Sequence, residues 1–452
     1  MMRESAQNPH VESDIATNGA TKSTQASRAA ESSGSPDATP SARKAAATST
    51  REPNAESSRH EAAGAGRLFS SPVLALIWFG ASVSLAEILT GTFFAPLGMA
   101  QGTAAILLGH LIGGAMFFLV ALASARTGAS AMETAGRAFG RAGQAAFGSA
   151  NAVQLLGWTA IMVASGAAAA AVLVPQLGFA GWCLAIGALI VVWIAIGAQK
   201  MSRIQSVAAV ALFALTVVAC VAVLGQSGAM PVGAGDALSF GAAVELAAAM
   251  PLSWLPVAGD YTRAAKSPLA GSAASTLAYT AGSCWMFFIG LGLALFAGTG
   301  DFAEALAASG LGLVGILVVV FSTVTTTFLD AQSAGLSANA VSAKLPAKAA
   351  GIVAAVAGTV LAIFAPVGNF EGFLYLIGSV FAPMAAVVCV DALAFGNDSS
   401  RSLVNWPNAV LWLVGFILYR ISLGWDLPCG NTLPVIVVIA VATYVVHKAL
   451  NR

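Results

Sequence analysis

The sequence predicts an all-α integral membrane protein of about twelve transmembrane helices, and three observations carry that reading. Of its 452 residues, 58% are hydrophobic and only 9% are charged, whereas a water-facing surface needs far more charge than that. Apolar stretches long enough to span a bilayer follow one another from residue 72 to residue 448. The charges between them alternate in a way that a membrane protein requires and a soluble one does not.

The first 66 residues are of different composition: Ala, Ser, Thr, Glu and Arg, with almost no branched apolar or aromatic residue. Such a segment cannot offset the entropy of ordering, so residues 1–66 are expected to be a disordered cytoplasmic tail. It has no apolar core after its positive residues and is not read as a secretory signal. A dispensable extension, or a start codon placed too early, is expected ahead of a regulatory role. The transporter domain is then 67–452.

The expected spans are 72–98, 102–125, 149–174, 179–197, 204–225, 239–259, 276–299, 309–333, 347–366, 370–394, 404–421 and 431–448. A helix of about 20 apolar residues crosses the hydrocarbon core. Gly109–Gly113 and Gly351–Gly358 are small-residue pairs that let helices approach closely in lipid. With the N-terminus inside, the inner loops and ends collect Arg67, Arg126, Arg137, Arg141, Lys200, Arg203, Arg263, Lys266, Lys344, Lys348, Arg401, Lys448 and Arg452. The outer loops hold Arg420 alone, together with Asp236, Asp301, Glu304 and Asp426. This positive-inside bias supports the helix count and places both termini in the cytoplasm, in an inner (plasma) membrane.

Two spans are interrupted in their middles: the first carries Gly80, Ser82, Ser84 and Glu87, the sixth Glu245, Pro251, Ser253 and Pro256. They run in opposite directions, as corresponding helices of an inverted five-helix repeat would, and paired interruptions predict a midplane site built on broken helices; the alternative is the ordinary tolerance of membrane helices for Pro and Gly.

Charge and residue usage exclude several functions. A net charge of +1 argues against nucleic-acid binding. Cys183, Cys220, Cys284, Cys389 and Cys429 are scattered, form no metal-binding spacing and read as packing residues. With four histidines, the chain offers no ligand cluster for a membrane enzyme or a resident cofactor. No obligatory protein partner is expected, and a channel would need a symmetric pore motif that is not found.

Glu87, Glu245 and Asp330 lie within expected spans, where carboxylates are costly and usually functional. Glu245, near the outer end of its span, can also be read as reaching water. In the eighth span, Ser322, Thr326 and Asp330 recur every four residues and share a face. These hydroxyls, opposite carbonyls freed from a broken helix, would make a hard oxygen site for Na⁺; alternatively they bond back to their own helix. Gln154 and Trp158 share a face of the third span, suiting a flat heteroaromatic ligand or simple packing. His110 fits either an interhelical contact or a proton relay.

The sixth span closes with PLSWLPVAGDYTR, Pro251 to Arg263. Its Asp260, Tyr261, Thr262 and Arg263 resemble the end of the sixth helix in the nucleobase–cation symporter-1 family. The TGT of Thr90–Thr92, SARTG of Ser124–Gly128, QLLGW of Gln154–Trp158 and TTTFLDAQSAGLSAN of Thr325–Asn339 follow in that family's order. The chain looks closest to the cytosine permease branch, and within it to the putative hydroxymethylpyrimidine permeases, which supply a thiamine precursor. The resemblance implies a LeuT-like five-plus-five inverted repeat with broken helices 1 and 6, and import coupled to Na⁺ or H⁺ by alternating access. It implies carbonyls of Gly80, Val83 and Ser322 and hydroxyls of Thr325 and Thr326 as Na⁺ ligands. Trp158 would stack on the substrate, and the break around Ser253 and Trp254 would line the opposite wall. Where family members often place asparagines, this chain has Phe328, Leu329 and Asp330, and its Glu87 has no obvious counterpart. Those departures favour an aminopyrimidine: a carboxyl group accepts from an exocyclic amine and, when protonated, donates to the adjacent ring nitrogen. Glu87 or Asp330 is expected in that role. The alternatives are a permease for cytosine or another nucleobase, and an amino-acid permease of the same fold.

Overall fold

The computed structural model describes residues 69–197, 238–297, 312–364 and 370–450, with parts of 207–221 and residues 303–304. The expected tail and most of the expected span at 204–225 lie outside the described residues. Within them the fold is helical throughout, apart from one isolated bridge between Phe69 and Ala265.

The first span is two helices, α1 (Ser71–Ser82) and α2 (Leu85–Thr92), bent by 52°. Val83 leaves helical geometry at φ −89°, ψ 84°. Ser84 restarts the helix as an N-cap, its side chain accepting from the Glu87 amide. Helix α3 (Gly98–Thr127) ends at Gly128, whose φ of +67° is readily adopted by glycine. A short helix α4 (Ala131–Phe139) follows, set by a capping box between Ser130 and Glu133. The sequence pattern predicts a connection between spans here, because nine amphipathic residues are too short and too polar to register as a span. Helices α5 (Arg141–Leu173) and α6 (Gly178–Ile196) complete the part before residue 197.

The sixth span is again a pair, α7 (Phe240–Ser253) and α8 (Leu255–Thr262), meeting at Trp254. Pro251 and Pro256 each lack a backbone donor, and at the junction the Val257 amide turns to Trp254 O, which leaves Ser253 O without its helical partner. Two amides of α5 bind carbonyls on either side of the break: Gln154 Nε2 donates to Ser253 O at 3.2 Å, and Asn151 Nδ2 to Pro256 O at 3.0 Å. Then come α9 (Pro268–Gly292), α10 (Gly312–Val341), α11 (Ala347–Phe364), α12 (Phe370–Val390), α13 (Trp406–Ser422) and α14 (Thr432–Ala449).

Nine helices, or ten spans counting the bent α1–α2 pair, are long and apolar enough to cross a membrane among the described residues. Helix α13, with 17 residues, falls just short. Their outward faces carry Leu107, Leu111, Val353 and Val437, all half exposed or more, as lipid-facing surface should be and a water-facing one would not.

One group of helices packs α9 on α1, α2 and α3, and α3 on α7; a second packs α10 on α5 and α11. Close approach depends on small residues. A Cβ added at Gly109 of α3 would lie 2.8 Å from the Ala248 amide of α7, and one at Gly113 2.7 Å from the Ala248 carbonyl. Added at Gly351, it would lie 2.9 Å from the Ala331 carbonyl of α10. Both small-residue pairs read from the sequence therefore sit at helix crossings.

The DYTR segment ties the end of α8 to its neighbours. Asp260 Oδ1 accepts from the Ala131 amide at the start of α4 at 3.1 Å. Thr262 Oγ1 donates to Ala121 O of α3 at 3.1 Å, and Arg263 pairs with Glu133 at 3.5 Å.

Candidate functional site

Both helix breaks open onto one cavity between the two groups. Ala81, Ser84 and Glu87 line it from α1 and α2, and Trp158 and Met162 from α5. Met250, Ser253 and Trp254 come from the second break, and Thr326 and Asp330 from α10. Its volume of about 20 Å³ is close to what one water molecule needs, so a ring-sized substrate fits only if the walls move apart. Five of the expected substrate residues thus face one space: Glu87, Trp158, Ser253, Trp254 and Asp330. Gln154 is not among the lining residues. It stands behind the break, bonded to Asn151 Oδ1 at 2.7 Å and Ser253 O, with its own Oε1 buried and unpartnered.

The two carboxyl groups differ in their surroundings. Glu87 is fully engaged: Tyr279 Oη donates to Oε1 at 2.7 Å, and Ser283 Oγ lies 2.7 Å from Oε2. Asp330 is 3% exposed and has no hydrogen-bond partner among the described residues. A buried carboxyl without a partner is costly unless a ligand completes it. Trp158 is held edge-on by Phe370 and Phe373, each with ring centroids 5.7 Å away, and its Nε1 has no partner. Trp254 lies 5.5 Å from Trp78 in an aromatic cluster with Tyr261 and Tyr279.

The expected cation ligands also come together. Ser322 Oγ donates to Val83 O at 2.9 Å, Thr326 Oγ1 to Gly80 O at 3.3 Å and Thr325 Oγ1 to Ser322 O at 3.0 Å. The carbonyls of Gly80 and Val83 are those that the 52° bend takes out of the helical ladder. The hydroxyls of Ser322 and Thr326 thereby meet the Val83 and Gly80 carbonyls where α10 crosses the first break, while Thr325 bonds back to its own helix. Among the described residues there is no group of three or more His, Cys, Asp or Glu placed to hold a metal ion.

Of the two readings open for Glu245, the structure excludes the one in which it reaches water. It is 1% exposed, and its carboxylate caps the start of α14. Oε2 accepts from the amides of Asn431 (2.7 Å) and Thr432 (2.8 Å), while Oε1 accepts from Thr432 Oγ1 (2.6 Å) and the Tyr419 hydroxyl. Tyr279 and Ser283 were missed by the sequence reading. Their four-residue spacing puts them on one face of α9, but hydroxyl residues are too common in membrane helices to stand out singly.

Over residues 67–418, the sequence matches the model of a family described as permeases for cytosine/purines, uracil, thiamine and allantoin. The chain belongs to this permease family. It is therefore a membrane transporter and not an enzyme. No curated protein matches it in sequence. Among solved structures it is similar to Mhp1, a nucleobase–cation symport-1 family transporter, in a closed conformation with bromovinylhydantoin bound. The two are 19% identical, with 86% of this chain and 93% of that one covered and a TM-score of 0.72. Inward-facing Mhp1 gives 19% identity, coverage of 85% and 92% and a TM-score of 0.69. A Na⁺-coupled sialic acid symporter in a substrate-bound, outward-open state gives 13% identity, coverage of 86% and 91% and a TM-score of 0.63. The permease thus has the LeuT-like fold of these transporters, with α1–α2 and α7–α8 as its broken helices.

Proposed function

We propose that this permease imports an aminopyrimidine together with a cation, and that hydroxymethylpyrimidine, a thiamine precursor, is its substrate. The observation that carries this reading is the buried, unpartnered carboxyl of Asp330, which faces a cavity walled by Trp158 and Trp254. An aromatic ring stacks on an indole, and a 4-aminopyrimidine edge presents an amine donor beside a ring nitrogen, the pair of groups one carboxyl can satisfy. Of the two carboxyl candidates, Asp330 is the better because both oxygens of Glu87 are already engaged. Cytosine carries the same amine–nitrogen edge and is the second reading.

Na⁺ would be held by the carbonyls of Gly80, Val83 and Ser322 and the hydroxyls of Thr325 and Thr326. The set suits a hard monovalent cation, being entirely oxygen and free of fixed negative charge. With the substrate space too small for a pyrimidine ring, transport requires one helix group to move against the other so that the midplane site opens to each side in turn. The distribution of basic residues supports an inner-membrane protein with both termini cytoplasmic.

Uptake of labelled hydroxymethylpyrimidine and of cytosine into cells, with and without Na⁺, tests the assignment. Hydroxymethylpyrimidine uptake should rise with Na⁺, lose that dependence in Thr326→Ala and fall at least tenfold in Asp330→Ala at equal surface expression, while Asp330→Asn, whose amide offers the same acceptor and donor, should retain more uptake than Asp330→Ala. Uptake of cytosine alone would select the second reading. Unchanged uptake in Asp330→Ala would remove the aminopyrimidine assignment.

A further inference from the structure

Glu87 is connected behind the cavity to a histidine. Ser283 Oγ, 2.7 Å from Glu87 Oε2, is also 2.6 Å from His110 Nε2. His110 Nδ1 in turn lies 2.8 Å from Ile106 O. All three side chains are buried, Glu87 at 1% and His110 and Ser283 at 0% exposure.

The hydrogen atoms needed for these contacts can be counted. A carbonyl only accepts, so His110 Nδ1 must carry a proton to reach Ile106 O. The Ser283 hydroxyl has one proton and two close neighbours, so it can donate to only one of them. The other contact needs a proton from the neighbour itself, on Glu87 Oε2 or on His110 Nε2. Tyr279 already donates to Oε1 and supplies nothing to this count. A carboxylate facing a neutral imidazole would leave two lone pairs opposed across a hydrogen-bond distance. The arrangement is satisfied throughout only when it holds one proton more than that pair.

We propose that Glu87, Ser283 and His110 form a relay that takes up one proton from the cavity and returns it there, so that this permease couples a proton to its transport cycle. This rests on the reading of the chain as a cation-coupled importer. A proton arriving from cavity water binds Glu87 Oε2. Passage inward breaks the Oε2–H bond as Ser283 Oγ takes that proton and gives its own to His110 Nε2. Neutral acid and neutral imidazole become carboxylate and imidazolium with no change in total charge. The relay is dead-ended: beyond His110 lie the Ile106 carbonyl and the Phe287 ring, edge-on with centroids 4.8 Å away. A proton therefore enters and leaves only through Glu87 and the cavity, on whichever side the cavity opens, and a bound substrate would seal it in.

The other titratable groups nearby do not replace it. From α9, Tyr279 donates to Glu87, and Cys284, next in sequence to Ser283, is buried. From α10, Asp330 faces the same cavity. From α7, Glu245 is tied to the start of α14. Helices α1, α2, α7, α9 and α10 contain no Lys or Arg, and α3 has only Arg126, at its far end.

Infrared titration of the purified full-length protein without substrate tests the relay. A protonated-carboxyl band should disappear as pH rises, be absent in Glu87→Gln and persist in Asp330→Asn. Its midpoint should move by about one pH unit or more in both Ser283→Ala and His110→Gln. In proteoliposomes with an entrapped pH dye, Na⁺- and substrate-driven proton entry should be lost in Ser283→Ala while substrate binding remains. A Glu87 band that never titrates, or one whose midpoint ignores both substitutions, overturns the relay. The titration needs no substrate, so its failure is distinguishable from a wrong pyrimidine.

Discussion

Replacing Glu245 should damage the fold in a graded way that its bonding partners set. Four donors converge on its carboxylate: the amides of Asn431 and Thr432 and the hydroxyls of Thr432 and Tyr419. Glu245→Gln keeps an oxygen for the two amides, and both hydroxyls can turn to accept from the new NH₂. What is lost is the charge at a helix N-terminus and the added strength of charge-assisted bonds, roughly 1–3 kcal/mol. Glu245→Ala instead leaves two buried amides without partners, at about 1–3 kcal/mol each. Its cost is therefore roughly 2–6 kcal/mol before any cavity is counted. Tyr419→Phe removes a single donor and should cost about 1 kcal/mol beyond its packing effect. Thermal unfolding of the purified protein, followed by loss of the monodisperse peak, should rank wild type above Tyr419→Phe, then Glu245→Gln, then Glu245→Ala. If Glu245→Ala melts with the wild type, the carboxylate does not hold α14, and the argument from its four donors fails.

Two further outcomes can be checked alongside the transport and titration experiments already described. A Cβ at Gly290 of α9 would meet backbone of α2, with Gly91 Cα and the Ile88 carbonyl carbon both at 2.9 Å. Backbone cannot move aside cheaply, so Gly290→Ala should cost about 1–3 kcal/mol and reduce uptake. By contrast, Arg137 and Asp398 meet at 3.1 Å with both side chains more than a third exposed. Arg137→Ala should therefore change stability by less than about 1 kcal/mol. Slight burial pushes the Asp398 carboxyl up, but hydrogen bonds from Ser400 and the Arg137 side chain outweigh it and leave the group below its ordinary range. The contribution of that pair is thus present at neutral pH and lost as pH falls through the carboxylate range, which thermal melts of wild type and Arg137→Ala at acid and neutral pH would show.

Most of the span pattern was legible because apolar length and loop charge are properties of contiguous sequence. The first break was legible too, since Gly80, Ser82 and Ser84 interrupt an otherwise apolar run. Helix α4 was not, because nine amphipathic residues resemble a polar connection until Ser130 and Glu133 are seen capping each other. Within the cavity, Glu87, Trp158 and Asp330 stood out as polar or bulky residues at membrane depth. The role of Gln154 could not be read, because its partner is a carbonyl 99 positions away that only the second break sets free. The role of Glu245 was not legible for the same reason: the amides it caps lie 186 and 187 positions along the chain.

The seating of the first broken helix on α9 limits how the permease can move. At Gly282 an added Cβ would strike the Ser82 hydroxyl of α1 and lie 3.2 Å from the Phe79 ring, and at Gly290 it would strike α2. Both fragments are pressed against one continuous rod, on either side of the kink. The kink at Val83 has the look of a joint, yet α9 acts as a splint across it. Neither fragment can swing without lifting off that rod. Opening the cavity must carry α1, α2 and α9 together as one block, and the slip plane then falls where Ser322 and Thr326 reach the carbonyls of Val83 and Gly80.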